Sequence, residues 1–118
     1  MRPKLDDFIT QAKDRWPYNA WVIEPGFAGL YVRVSWRPLE EKMIQVIDLA
    51  NITATKPGNG AFTKLVAKLR KKYPELGIYV ESVLNSRFDA KLLKMGFVER
   101  QEAPHNYYLL PTREDNDA

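Results

Sequence analysis

The stretch Thr53–Val66, TATKPGNGAFTKLV, sets a proline and two glycines between the end of an apolar run and the start of a helical pattern. A junction of this kind turns the chain or holds a phosphate. Glycine reaches left-handed backbone without strain and lets a ligand approach the main chain, while a helix start offers unpaired N–H groups at the positive end of its dipole. The flanking residues decide how much weight the second reading bears.

Upstream, KMIQVIDLANITAT (Lys42–Thr55) reads as the longest strand. Apolar residues on both of its faces around Val46, Ile47 and Leu49 predict a central place in a sheet. Downstream, Phe62, Leu65, Val66, Leu69 and Tyr73 mark the apolar stripe of a helix over Ala61–Lys72, with Lys64, Lys68, Arg70, Lys71 and Lys72 off the stripe. Pro74 and Gly77 end it.

Further out, Leu5, Phe8, Ile9, Ala12 and Trp16 recur at helical spacing and predict a first helix that stops before Pro17. NAWVIEPG is a short strand closed by a turn. In GLYVRVSWRP, Leu30, Val32, Val34 and Trp36 share one face and Tyr31, Arg33, Ser35 and Arg37 the other, which is the period of a half-buried strand. A polar turn is expected over Pro38–Glu41. Beyond the central helix, GIYVESVL reads as a strand, NSRFDAKLLKM as a short helix stopped by Gly96, and FVERQ and HNYYLLP as two final strands. The order is helix, three strands, helix, strand, helix, two strands. It predicts an α/β (α+β) domain over residues 1–111, built on a mixed, mostly antiparallel twisted sheet of about six strands with helices on both faces. Residues 112–118 form an acidic tail.

The chain has 118 residues, no cysteine, one histidine and a net charge of +3. The lack of cysteine excludes disulfides, thiolate metal sites and a cysteine nucleophile, and no metal set is expected. No apolar run approaches the ~20 residues that cross a bilayer, and the charged start is unlike a secretory signal. A soluble cytoplasmic protein is the expectation, with no membrane partner. The charge is too small to mark a nucleic-acid binder. The tryptophans lie at helical or alternating positions that cores recruit, so nucleic acid is an unlikely partner.

Two segments resemble the GNAT superfamily of acyl-CoA-dependent N-acyltransferases, in its compact phage-type form. KPGNGAFTKLVAKL is similar to the element R-G-x-G-I-G-x-x-L-L, with Gly58, Gly60, Leu65 and Val66 matching. Pro57 stands at the Arg-Gly start and Phe62 at the last small position. VESVLNSRFDAKLLKMGF is similar to N-x-R-A-x-x-L-Y-x-K-x-G-F, with Asn85, Arg87, Lys94, Gly96 and Phe97 in register. The resemblance spans Ala20–Leu110. It implies acetyl transfer from acetyl-CoA, as cosubstrate, to an amine of a small molecule or a protein, by a monomer or homodimer in the cytoplasm (the host's, for a phage protein). It implies that Lys56, Gly58, Asn59, Gly60 and Ala61 hold the CoA pyrophosphate, that the backbone of Ile52, Thr53 and Ala54 pairs with the pantetheine arm, and that Asn85 and Arg87 lie near CoA. Lys64, Lys68 or Lys71 would reach the 3′-phosphate. Leu92 takes the place of the tyrosine that protonates the departing thiolate in many members. Pro57 has no N–H to donate.

Aminolysis of a thioester needs a base for the amine, and a partly buried carboxylate suits that task. Asp48 and Glu81, acids within apolar strands, are the candidates. His105 reads as an incidental loop residue. Asn85 also stands where a side chain caps the last helix. The alternative function is a GNAT-like protein-binding module without catalysis, directed at a phage's host.

Overall fold

The computed structural model describes residues 2–12 and 18–113. Its backbone is a hairpin of two 13-residue strands, β2 (Phe27–Leu39) and β3 (Lys42–Ala54). Leu39 pairs with Lys42, and the two residues between them, Glu40 and Glu41, have φ of 50° and 69°. Two successive left-handed residues give the turn whose twist suits a hairpin. The strand thus runs through Pro38, where a turn was expected. Among the described residues β1 (Tyr18–Trp21) reaches along β2 only to Val34, so none of them pairs with β2 on the Pro38 edge, where proline is tolerated.

From β3 the chain crosses through α2 (Ala61–Lys72) to β4 (Gly77–Val80), which lies parallel to β3 from Val46↔Gly77 to Leu49↔Val80. After α3 (Ser86–Lys94), β5 (Val98–Glu99) and β6 (Tyr107–Leu109) complete a six-stranded sheet of order β1-β2-β3-β4-β6-β5. Every pairing but β3·β4 is antiparallel. The mixed, mostly antiparallel sheet is therefore present as expected. β3 runs on to Ala54 after β4 has stopped opposite Leu49, so the sheet parts there.

The first helix, α1 (Leu5–Ala12), buries Leu5, Phe8, Ile9 and Ala12, the stripe its spacing predicted. Trp16 lies outside the described residues. The buried stripe of α2 is Phe62, Leu65, Val66 and Leu69, and α3 buries Leu92. All of these join one cluster with Leu30, Val32 and Val34 of β2, Ile47 and Leu49 of β3, and Ile78 and Val80 of β4. Helices on both faces were expected; the described helices instead pack on one. The opposite face carries Arg33, Arg37, Asp48 and Glu81, which form no apolar bed for a helix, beside a small cluster of Leu39, Val46, Tyr79 and Tyr108. The tryptophans depart from expectation as well: Trp21 and Trp36 are 40% and 48% exposed. Alternation turns Trp21 to the helix-free face beside Tyr31, and Trp36 lies on the part of β2 past its last pairing with β1. Among the described residues no helix is long and apolar enough to cross a membrane.

Candidate active site

At the start of α2, Gly58 and Gly60 have φ of +83° and +78°, and a Cβ on either would meet nothing within 4 Å. The glycines are there for backbone conformation, and the space before them is open. Gly60 caps the helix without any side-chain hydrogen bond. The first-turn N–H groups, of Ala61, Phe62 and Thr63, have no intrahelical acceptor. Asn59 donates its N–H to Lys56 O at 3.2 Å, closing a turn around Pro57. Lys56, Pro57, Gly58 and Asn59 are exposed. A cavity of about 300 Å³ adjoins this loop, lined among others by Gly26, Asn59, Ala61 and Lys64. A larger one, about 480 Å³, lies at the other end of β3 around Trp36, Met43 and Leu110. Size does not select the site here, because the larger cavity has no helix start and none of the candidate residues.

Phe62 belongs to the core. Its ring meets Phe88 edge-on at 4.9 Å and ties α2 to α3. Lys68 is held by Glu24 at 2.9 Å and by Asp6 at 3.7 Å, so it fastens α2 to the β1–β2 turn and α1 rather than standing free for a phosphate. Lys64 and Lys71 are exposed.

Ile52, Thr53 and Ala54 pair with β2 through Leu30, Gly29 and Phe27, and β4 no longer flanks them. On the β4 side the chain leaves the sheet at Glu81. Asn106 Oδ1 accepts the Ser82 N–H at 3.0 Å, and His105 O accepts that of Val83 at 2.8 Å. His105 contributes main chain to this bend while its residue stays exposed. Asn85 caps α3, its Oδ1 accepting from Arg87 N–H at 2.9 Å and Phe88 N–H at 3.2 Å. Arg87 is exposed in the first turn of that helix.

Asp48 and Glu81 come together at the parting of the strands, on the face without helices. Asp48 is completely buried, against the solvent-facing margin that an acid in a strand more often occupies. Arg37 Nη2 donates to Asp48 Oδ2 at 2.6 Å and to Glu81 Oε2 at 3.2 Å, and Arg33 Nη1 donates to Glu81 Oε2 at 2.8 Å. Burial, reinforced by the adjacent Glu81, pushes the Asp48 carboxyl up to about 8 although Arg37 pulls the other way. Burial opposes the Arg37 charge, yet its hydrogen bond to Asp48 leaves that guanidinium held above its ordinary value. Arg37 also stacks over Tyr79, 4.2 Å from the ring centroid. Sequence reasoning found the two acids and missed the two arginines. Their signal was the alternation of β2, which sets Arg33 and Arg37 on one face, and the antiparallel register that brings Arg33 opposite Asp48.

No side chain at position 92 meets this site, because Leu92 is wholly in the core. Tyr107 does not substitute. It is buried, donates to Asp89, and is pushed up to about 12 by burial and then by that carboxylate.

Parallel strands that part in mid-sheet, a glycine turn into the crossover helix and a capped helix beyond them define a GNAT-like fold. The comparisons agree. The AtaT toxin, in a mutant form bound to the C-terminus of the antitoxin AtaR and to acetyl-CoA, is 20% identical over 73% of this chain and 59% of its own, with a TM-score of 0.55. The KacTA–DNA complex contributes a chain 18% identical over 92% of this one and 76% of its own, also with a TM-score of 0.55. These likenesses are of fold, and this chain spans 59% of the AtaT chain it matches. No family profile matches the sequence, and no curated protein does.

Proposed function

We infer that the chain is an acyl-CoA-dependent N-acyltransferase that moves an acetyl group from acetyl-CoA to an amine. The observation that carries this reading is the uncapped glycine start of α2 at the end of the long strand that β4 leaves unpaired, with two carboxyls at the point of parting. The open first-turn N–H groups and the unfilled space before Gly58 and Gly60 suit a pyrophosphate. Lys56, Gly58, Asn59, Gly60 and Ala61 hold it, and the free edge of Ile52, Thr53 and Ala54 pairs with the pantetheine arm. Asn85 serves through its cap, and Arg87 adds charge nearby. Bound acetyl-CoA supplies a carbonyl activated as a thioester. Glu81, which solvent reaches, accepts the proton of the incoming ammonium, and Asp48 behind it holds a second proton against the same arginines. The amine nitrogen then bonds the carbonyl carbon, the carbon–sulfur bond breaks, and the proton the nitrogen sheds as the amide forms passes to the departing thiolate, which leaves as the thiol. The cytoplasm, where acetyl-CoA is at hand, is the compartment we assign.

Titration calorimetry with acetyl-CoA and a thiol-release assay across an amine panel test the reading, with Gly60→Glu as control. Binding and turnover are expected, and the control loses both because a carboxylate replaces the space for phosphate. Absence of binding at high micromolar acetyl-CoA overturns it. One observation favours a second reading, a protein-binding module: position 92 is core and Tyr107 is tied to Asp89, so neither position supplies a proton to the departing thiolate. AtaT is bound to an antitoxin peptide, and a protein partner suits the module. Acetyl-CoA binding without turnover on any amine selects it.

A further inference from the structure

Where β3 and β4 part, the helix-free face meets solvent through Arg33, 39% exposed, with Glu81, 20% exposed, and through Arg37, 24% exposed, with Asp48 sealed beneath at 0%. Two cations therefore reach the surface for one anion. A guanidinium carries N–H donors on all three nitrogens in a fixed fork. Arg33 uses Nη1 on Glu81, and Arg37 uses Nη2 on Asp48 and Glu81. Among the described residues, Nε and Nη2 of Arg33 meet no acceptor, and Nε of Arg37 is buried without one. Asp48 Oδ1 is buried without a partner too. Arg37 Nε and Asp48 Oδ1 lie out of solvent's reach, while the open Nε and Nη2 edge of the half-exposed Arg33, beside Arg37, fits a ligand with paired acceptor oxygens.

We propose that Arg33 and Arg37 form the recognition fork for the acceptor, and that the acceptor is a primary amine carrying an oxyanion, carboxylate or phosphate, a few bonds from its nitrogen. Its role as acceptor rests on the acyltransferase reading above. The oxyanion lies across the two guanidinium groups and the ammonium turns to Glu81, so one acidic group serves the amine while the arginines fix its orientation. A wall for the rest of the molecule adjoins the fork. The Arg33 guanidinium lies 5.8 Å from the Tyr31 ring centroid, and Tyr31 lies 5.2 Å from Trp21. A second cationic group on the acceptor meets two arginines, which selects against diamines.

Calorimetry on the full chain, with and without saturating CoA, tests this with four matched amines: β-alanine, O-phosphoethanolamine, ethanolamine and ethylenediamine. One or both oxyanion amines are expected to bind about tenfold tighter than ethanolamine, the factor of one charge-assisted hydrogen bond. The order of the first two tells carboxylate from phosphate. Arg33→Gln removes the preference and Arg33→Lys keeps part of it, while the thermal melts of both stay close to the parent because Arg33 is half-exposed. Equal affinity for all four amines, preference for ethylenediamine, no binding of any, or a preference that survives Arg33→Gln overturns the proposal. An oxyanion preference in protein that does not bind CoA upholds the fork and sinks the acyltransferase reading. CoA binding without that preference does the reverse.

Discussion

The two faces of the sheet use one alternating pattern for different ends. On one, Leu30, Val32, Val34, Ile47, Leu49, Ile78 and Val80 form a dry bed for three helices. On the other, residues one step along the same strands bring Arg33, Arg37, Asp48 and Glu81 into a single charged cluster. The difference is plain in two aspartates. Asp6, on α1, is held below the ordinary carboxylate range, first by its hydrogen bond from Lys72. Asp48 is raised by burial that its arginine does not offset. One face uses its charges to fasten helices at the rim, and the other gathers them where the strands part.

The largest expected effect sets the faces directly against each other. Leu69→Ala removes a fully buried side chain between α2 and the sheet and should cost ~2–5 kcal/mol of stability in denaturant titration. Arg33→Ala, on the half-exposed fork, should cost less than ~1 kcal/mol. If the arginine proves as costly as the leucine, the charged face is structural, and its assignment to chemistry fails.

A second effect separates the aspartates by pH. Asp48 binds its proton more tightly folded than unfolded, so its favourable contribution is complete below the ordinary value of 3.8 and is lost as pH rises through about 8. Asp6, with its value lowered, contributes above its ordinary range and loses that contribution as pH falls. Thermal melts from pH 5 to pH 9 should therefore show the parent losing stability relative to Asp48→Asn as pH rises. Parallel curves for the two proteins would mean that Asp48 is ionised throughout and holds no proton for Glu81.

How much of this was legible in the sequence follows from how each feature is made. The helix Ala61–Lys72 came through at its right extent, because its apolar stripe at 3.6-residue spacing and the stop signals at Pro74 and Gly77 agree. The glycine turn was legible for the same reason: left-handed backbone demands glycine locally. The strand end at Pro38 was misread, since whether proline ends a strand depends on whether a neighbour pairs there, and β1 does not reach it. The arginine fork was illegible one residue at a time. Arg33 and Arg37 look like any polar face until the hairpin register brings Arg33 opposite Asp48 and the parallel crossover brings Glu81 beside both. The burial of Asp48 has the same origin, because its covering side chains come from other strands.

The smallest effect bears on Asn85, where both faces of the comparison meet in one residue. Its side chain caps α3, a helix packed on the apolar face, while the resemblance sets it beside the bound CoA. Asn85→Ala should cost about 1 kcal/mol, the usual worth of such a cap, and Asn85→Ser, which restores an acceptor at the cap, should recover most of that. Acetyl-CoA affinity separates the roles. If the residue acts through the helix alone, affinity follows stability and Asn85→Ser restores both. If the amide itself touches CoA, stability returns in Asn85→Ser while affinity does not, because serine is too short to reach past the cap. The second outcome would extend the site from the parting of the strands to the start of α3, and would make the apolar face a contributor to binding and not only its support.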